Sequence, residues 1–197
     1  MKTILAFLTF SLLTSSTAFA IDTGAEVPEF KLMSSEGKEV SVADFKDKVV
    51  VLEWFNDQCP FVKKHYGPKA MQNLQKKWTD KGVVWLTIDS TNPSHQNFKN
   101  KEQFAALTGA HGIHSTALLA DPEGTVGKLF GAKTTPHIFI KGKDGKIAYQ
   151  GAIDDNPDAF SSPSEAKNFV DAALGQITEG KKVENAETSP YGCSVKY

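Results

Sequence analysis

One stretch of the sequence, residues 49–64, restricts the possible folds more than any other. It opens with the run Val-Val-Val-Leu-Glu-Trp-Phe, continues through a short polar turn to Cys59, and is followed at once by Pro60. A near-continuous run of β-branched and aromatic residues that stops at a turn is typical of a buried strand in a parallel or mixed sheet. Proline is favoured at the first position of a helix. The sequence therefore predicts a buried central strand leading to Cys59 and a helix that begins directly after it.

The position of Cys59 at the start of this helix gives it a specific chemistry. The first turn of a helix carries unpaired N–H groups and a partial positive charge, which favour a thiolate over a thiol. Cysteines at such positions have pKa values of about 3.5 to 7.5, against about 8.5 for a free cysteine. Cys59 is therefore a candidate nucleophile. The alternative, from the residues alone, is an inert buried cysteine.

Residues 1–20 have the features of a secretory signal peptide. A positive Lys2 precedes an apolar segment at 4–13, and Ala18-Phe19-Ala20 forms a small-residue cleavage site. The apolar segment is too short to span a bilayer, and no later segment resembles a membrane helix. We therefore expect a periplasmic or secreted protein without a membrane span after cleavage, with one domain at 21–180 and a tail at 181–197.

The charge balance and the cysteine count limit the partners and the redox state. The formal net charge is −1 and all 22 basic residues are lysine, so no basic excess favours nucleic-acid binding. The chain has two cysteines, Cys59 and Cys193, which in an oxidising compartment are expected to pair or to exchange disulfides. A purely structural disulfide is the alternative, because closing so long a loop stabilises a fold by about 5 kcal/mol in the chain-entropy model.

The rest of the chain alternates strands and helices. The helix after Cys59 is expected to pass through a kink at Gly67-Pro68 without ending, and Ser164 is the expected N-cap of the last helix. With no internal repeat and no second domain, the order predicts an α/β fold with a central mixed sheet flanked by helices. The predicted strands lie at 30–33, 39–42, 49–55, 82–89, 116–120, 137–140 and 147–149, and the predicted helices at 61–78, 97–107, 122–130 and 164–177.

Four motifs together resemble the thioredoxin-fold redoxins, in particular the peroxiredoxin-like and TlpA-like branch known as AhpC/TSA. The resemblance extends over residues 27–177, most of the chain after the predicted signal peptide. It implies a thioredoxin-like fold with an N-terminal β-hairpin and an extended C-terminal tail. The motifs are Pro28-Glu29-Phe30-Lys31-Leu32, Trp54-Phe55-Asn56-Asp57-Gln58-Cys59-Pro60, Gly131-Ala132-Lys133-Thr134-Thr135-Pro136, and Asp144-Gly145-Lys146 leading to Gly151-Ala152-Ile153-Asp154.

The resemblance also implies roles for individual residues. Cys59 matches the attacking cysteine of the thioredoxin motif, and Pro60 begins the helix beside it. Pro136 matches the family's cis-proline next to that sulfur, where Thr135 would offer backbone groups to an extended substrate. Glu53, which precedes Cys59 on the central strand, takes the place of the buried carboxylate that relays a proton during exchange.

Glu53 has a physical reason to take part in proton transfer as well. A glutamate inside an apolar strand is unfavourable unless it is paired or protonated, and burial raises its pKa. Such a group suits a general acid or base. The alternative is a position at the sheet edge with the carboxylate in water.

Departures from the family pattern make Cys193 the candidate partner of Cys59. Val62 replaces the second cysteine of Cys-x-x-Cys, so Cys59 has no local partner, and Cys193 on the tail is the expected resolving cysteine. A peroxiredoxin would have proline and threonine in place of Leu52 and Asn56, together with an arginine near the sulfur. The absence of arginine argues against efficient peroxide reduction, because lysine does not supply the planar fork of a guanidinium.

Together these observations predict an exported thiol-disulfide oxidoreductase with Cys59 as nucleophile and Cys193 as resolving cysteine. Its partners would be a protein or small-molecule disulfide, or an oxidised thiol, and an external thiol reductant, with no cofactor, metal or nucleic acid. Two alternatives stay open: a peroxiredoxin-like thiol peroxidase acting as an antioxidant, and a non-enzymatic, disulfide-stapled module that binds copper with Cys59, His65 and His137. Lys64 is expected on a solvated basic face of the helix after Cys59.

Overall fold

A mixed sheet of seven strands lies at the centre of the structure, a computed structural model that describes residues 21–197. The predicted signal peptide at 1–20 falls outside the described residues. The strands of the described part are β1 (Lys31–Ser34), β2 (Glu39–Ser41), β3 (Val50–Trp54), β4 (Val84–Asp89), β5 (Ala117–Ala120), β6 (Thr134–Thr135), β7 (His137–Lys141), β8 (Ile147–Gly151) and β9 (Cys193–Ser194). The helices are α1 (Pro60–Tyr66), α2 (Ala70–Thr79), α3 (Lys101–His111), α4 (Thr125–Phe130) and α5 (Phe169–Thr178), with short 3-10 turns at Val42–Phe45 and Pro163–Glu165.

The strand order places β3 in the interior of this sheet. The order is β2-β1-β5-β4-β3-β7-β8. Strand β3 pairs parallel with β4 and antiparallel with β7, and β4 pairs parallel with β5. The hairpins predicted at β1–β2 and β7–β8 are both present. The predicted α/β class and its central mixed sheet are therefore confirmed.

Strand β3 is buried on both faces, as its apolar run predicted. Alternate side chains of a strand point to opposite faces, and Val51 accordingly belongs to one hydrophobic core while Leu52 and Trp54 belong to the other. Helices α1, α2, α3 and α5 pack on the first face, whereas α4 and the β1–β2 hairpin pack on the second. The carboxyl end of β3, where Cys59 follows, is fixed by both cores.

The predicted kink at Gly67-Pro68 is wrong, because two separate helices form there. Helix α1 ends at Tyr66, and Lys69 adopts a left-handed conformation with φ +63° before α2 begins. Pro68 has no N–H to continue the ladder, and a left-handed residue turns the chain out of the helix. The apolar periodicity resumes because α2 packs on the same core as α1.

Three other helices begin later than predicted, since the capping residues lie further along the chain. Asn100 caps α3 in a reciprocal capping box with Gln103, so this helix does not begin at residue 97. Helix α4 starts after Gly124 and not at Pro122. Asn168, not Ser164, caps α5, and Ser164 lies in the preceding 3-10 turn. Asparagine precedes the true starts of α3 and α5 and glycine that of α4, but several candidate caps lie within a few positions of each start.

The tail at 181–197 is extended as predicted, and it also forms a strand that the sequence did not indicate. Strand β9 pairs antiparallel with β6, which places Cys193 directly opposite Thr135. These two short strands form a second sheet of their own. The tail therefore returns to the end of the main sheet where Cys59 lies.

Candidate active site

Cys59 occupies the turn between β3 and α1, and Pro60 is the first residue of that helix. Its side chain is 3% exposed. The Cys59 Sγ donates a hydrogen bond to the backbone carbonyl of Thr135 at 2.9 Å. Pro60 itself is exposed and lies on the rim of this site. The predicted strand, cysteine and helix order is therefore present, and the sulfur is held against a second backbone segment.

That second segment is the Thr135-Pro136 turn. The Thr135–Pro136 peptide bond is cis, as the family resemblance implied. Both residues are buried. Thr135 belongs to β6, so its backbone can pair with an extended chain, and in this structure it pairs with the strand that carries Cys193. The structure thus brings together Cys59, Thr135, Pro136 and Cys193.

The surroundings of Cys59 favour its ionised form. Burial alone raises the pKa of this thiol, but a hydrogen bond from the Cys193 thiol and contacts with the backbone N–H groups of Cys193 and Val62 outweigh burial and lower the pKa below its ordinary value. The Thr135 hydroxyl, which is buried without another partner among the described residues, acts in the same direction. Cys59 therefore has the properties of an activated nucleophile.

Cys193 has the opposite character. Its thiol is free and half-buried. Burial, the hydrogen bond to Cys59 and the negative charge of the Cys59 thiolate raise the pKa of Cys193 to about 11. The pair therefore consists of one thiolate-prone sulfur and one proton-holding sulfur in contact with each other.

Glu53 is completely buried on β3. Its carboxylate accepts hydrogen bonds from Tyr66 Oη at 2.8 Å, Trp85 Nε1 at 2.8 Å, Gln75 Nε2 at 3.0 Å and Thr87 Oγ1 at 3.3 Å. Burial raises its pKa despite these donors. The edge position in water, the alternative from the sequence, is therefore wrong. Cys59 is not among the partners of Glu53 in the described chain, and Tyr66 links the carboxylate to the helix that begins beside Cys59.

A buried polar cluster that the sequence did not indicate joins α1 to the tail. Lys64 lies 3.6 Å from the Asp154 carboxylate and its side chain has no exposed area, so its predicted place on a solvated face is wrong. Tyr191 Oη donates to Asp154 Oδ1 and lies 3.1 Å from His65 Nε2. Lys64 also donates to the carbonyl of Asn156. The only sequence signal was the proximity of Tyr191 to Cys193 and of Lys64 to Cys59.

The two histidines of the copper hypothesis are engaged with protein groups. His137 is buried and its Nδ1 accepts from the backbone N–H of Lys133 at 3.2 Å. Burial lowers the pKa of His137 to about 3 and that of His65 to about 4. Within residues 21–197, no three His, Cys, Asp or Glu side chains are grouped so as to hold a metal ion. His65 Nε2 and His137 Nδ1 both lie within hydrogen-bond distance of other protein groups.

These features define the class of thioredoxin-fold redoxins. The chain belongs to the AhpC/TSA family, whose model matches residues 23–150. A curated relative, thiol-disulfide oxidoreductase ResA from Bacillus thuringiensis subsp. konkukian, is 28% identical over 129 residues, which are 64% of this chain and 68% of that protein.

Solved structures show the same fold. An uncharacterized conserved protein from Geobacillus kaustophilus is similar with a TM-score of 0.79 and 26% identity, covering 90% of this chain and 93% of that one. A secreted Mycobacterium tuberculosis disulfide oxidoreductase, homologous to E. coli DsbE, is similar in fold with a TM-score of 0.55, 15% identity, and coverage of 74% and 94%. The predicted thioredoxin-like fold is thus confirmed.

Proposed function

We propose that this chain is an exported thiol-disulfide oxidoreductase in which Cys59 attacks the substrate and Cys193 resolves the resulting intermediate. The observation that carries the proposal is the position of the Cys59 sulfur, which is hydrogen-bonded to the carbonyl of Thr135, the residue that pairs directly with Cys193. Val62 stands where the Cys-x-x-Cys motif has its second cysteine, and Cys193 takes over the role of that cysteine. Thr135 and Pro136 form the docking edge for an extended substrate, with Pro60 at its rim.

The proposed reaction has two exchange steps. First, the Cys59 thiolate attacks one sulfur of a substrate disulfide, the substrate S–S bond breaks, and the other sulfur leaves as a thiolate that takes up a proton. Second, Cys193 attacks the Cys59 sulfur, forms the Cys59–Cys193 disulfide, and releases the remaining substrate sulfur, which is protonated in turn. The substrate gains two electrons and two protons, and an external dithiol reductant restores the two thiols.

The different pKa values of the two sulfurs support this order of events. Cys59 is the more acidic and therefore reacts first. Part of the elevation of the Cys193 pKa comes from the hydrogen bond and negative charge of Cys59, and both are lost once the Cys59 sulfur is in a mixed disulfide. Cys193 then becomes easier to deprotonate. Glu53 is the proposed proton store, because burial raises its pKa and Tyr66 links it to α1.

The export part of the proposal rests on the signal-peptide pattern at 1–20. The helices of the described residues, 21–197, are all too short or too polar to cross a membrane. We propose residues 21–180 as the redoxin domain and 181–197 as a functional part of the site. Fractionation of cells that express the full chain, with periplasm and medium assayed separately, tests the location.

The decisive experiment follows reduction of a disulfide substrate by the reduced protein with intact mass spectrometry under non-reducing alkylation. The wild type should lose two alkylatable thiols as substrate thiols appear, whereas Cys193→Ser should accumulate a covalent adduct on Cys59. Cys59→Ser should give neither product. A Cys59–Cys193 bond that forms but resists a glutathione buffer would identify a structural staple and contradict the proposal. Consumption of hydrogen peroxide faster than disulfide reduction would favour the peroxidase alternative.

A further inference from the structure

The last seven residues of the sequence, 191–197, form a segment that we call the strap, which is fixed along its whole length. Its centre is β9, paired with β6. In the residues that follow β9, Val195 N–H donates to the Lys133 carbonyl at 3.2 Å, and the Lys196 carbonyl accepts from Asn92 N–H at 2.7 Å. The strap therefore binds as an added strand of short length, the mode in which many domains bind extended peptides.

At one end of the strap, the side chain of Tyr191 occupies a pocket in which several polar groups bind its hydroxyl. The Tyr191 ring lies 5.8 Å from the Phe61 ring, centroid to centroid. Its hydroxyl donates to Asp154, lies 3.1 Å from His65 Nε2 and accepts from Lys64 Nζ at 3.5 Å. Three polar partners on a single hydroxyl, two of them on α1, distinguish tyrosine from phenylalanine at this position.

The next residue has to be glycine. Gly192 has φ +144°, a conformation that residues with a Cβ rarely adopt. A Cβ there would overlap the Thr135 carbonyl oxygen and would lie 2.7 Å from the Thr135 carbonyl carbon. The chain therefore approaches the Thr135-Pro136 edge more closely than any other residue type permits.

The strap covers the group that is proposed to react. With Cys193 opposite Thr135, the edge of β6 is occupied, and Cys59 is 3% exposed. Cys193 stands where a substrate sulfur has to stand in order to meet Cys59. The strap is thus bound as a substrate segment would be bound, by backbone pairing, with a sulfur presented to the nucleophile.

From this placement we infer that the strap occupies the substrate groove, and that the substrate is an extended polypeptide whose oxidised cysteine follows a glycine, with a tyrosine immediately before that glycine. The inference rests on the proposed function, because the edge of β6 is a substrate-binding groove only if Cys59 reacts with a disulfide. Substrate and strap compete for β6, so the substrate enters when the strap leaves. Once the bound substrate segment detaches from β6, with its sulfur still bonded to Cys59, the strap pairs with β6 again and brings Cys193 to the mixed disulfide.

Binding can be tested without redox chemistry. The probe is a labelled synthetic peptide of residues 187–197 carrying Cys193→Ser, and the proteins are residues 21–197 carrying Cys59→Ser and Cys193→Ser, with or without Gly192→Ala to loosen the strap. In fluorescence anisotropy the peptide should bind the loosened protein about tenfold tighter or more. A peptide that also carries Gly192→Ala should bind about tenfold weaker or more, and one carrying Ser194→Ala, at an exposed position, should bind like the parent.

Equal binding to the loosened and intact proteins, or equal binding of the Gly192→Ala peptide, would overturn the inference. A dimer in place of a one-to-one complex would also overturn it, since a second copy would then fill the groove. If Gly192→Ala disturbs the circular dichroism spectrum, a protein with Tyr191→Ala provides the same comparison. In a parallel assay, wild-type protein that reduces glycine- and alanine-preceded disulfides equally contradicts this inference alone, whereas wild-type protein that reduces neither contradicts the proposed function.

Discussion

Glu53 allows a direct test of whether burial or hydrogen bonding has the larger effect on the pKa of a buried carboxyl group. Its side chain has no exposed area, which favours the neutral form, but four donors surround its two oxygens, which favours the anion. Burial is the larger influence and raises the pKa above its ordinary value of 4.5. The folded chain therefore holds this proton to a higher pH than the unfolded chain does.

The perturbation is Glu53→Gln, which keeps the shape and removes the titration. An amide oxygen can accept from Trp85 and Gln75, and the amide N–H can donate to the Tyr66 hydroxyl. In the wild type, the stability due to the protonated form is complete below pH 4.5 and is lost as the pH rises through the folded pKa. The variant has no such loss. Its stability relative to wild type should therefore rise with pH, by up to about 1.4 kcal/mol per pH unit.

The assay is urea denaturation of both reduced proteins at half-unit steps upward from pH 4.5, with the difference in unfolding free energy plotted against pH. Glu39→Gln is the matched control, because Glu39 is an exposed carboxylate paired with Lys31 at the surface, and it should not reproduce the slope. A difference that stays flat or falls as the pH rises would show that the four donors outweigh burial, and the account of Glu53 as a proton store would be refuted.

Three further outcomes follow from the contacts of the site. Lys64→Met should destabilise the protein by about 3–5 kcal/mol in urea unfolding, because it leaves the buried Asp154 without its cation, and adding Asp154→Leu should recover much of the loss; no recovery would mean that the pair is not coupled. Cys193→Ala should raise the pKa of Cys59, seen as a shift in the pH dependence of thiolate absorbance, since the strongest hydrogen bond that favours the thiolate is removed; an unchanged titration would contradict the contact between the sulfurs. Tyr191→Phe should lower stability by about 1–3 kcal/mol and speed proteolysis of the tail, because the buried Asp154 loses a hydrogen-bond donor; unchanged proteolysis would show that the hydroxyl does not anchor the strap.

The centre of the fold was predictable because its signals are local and strong. The apolar run of β3 permits little except a strand buried on both faces, and Pro60 marks the helix start beside Cys59. The cis bond before Pro136 came from the family resemblance, since a proline alone seldom indicates it. Helix starts were less well predicted because several capping residues stand close together, as Ser164 and Asn168 show.

The tail and the buried lysine were not predictable in the same way. Strand β9 is too short to show an alternating pattern, and its partner β6 is distant in sequence, so its pairing depends on tertiary contacts. A lysine next to another lysine on a short helix is normally solvated. Lys64 is buried because Asp154, Asn156 and Tyr191 meet it from distant parts of the chain.

The pairing of β9 with β6 fixes more than the position of one sulfur. Side chains alternate between the two faces of a strand, so inserting or deleting a single residue between Tyr191 and Cys193 would turn the thiol away from Cys59 while the tyrosine stayed in its pocket. The number of residues between Tyr191 and Cys193 is therefore fixed in this protein. In its last few residues a homologous chain can therefore change only by substitution if the two sulfurs are to meet.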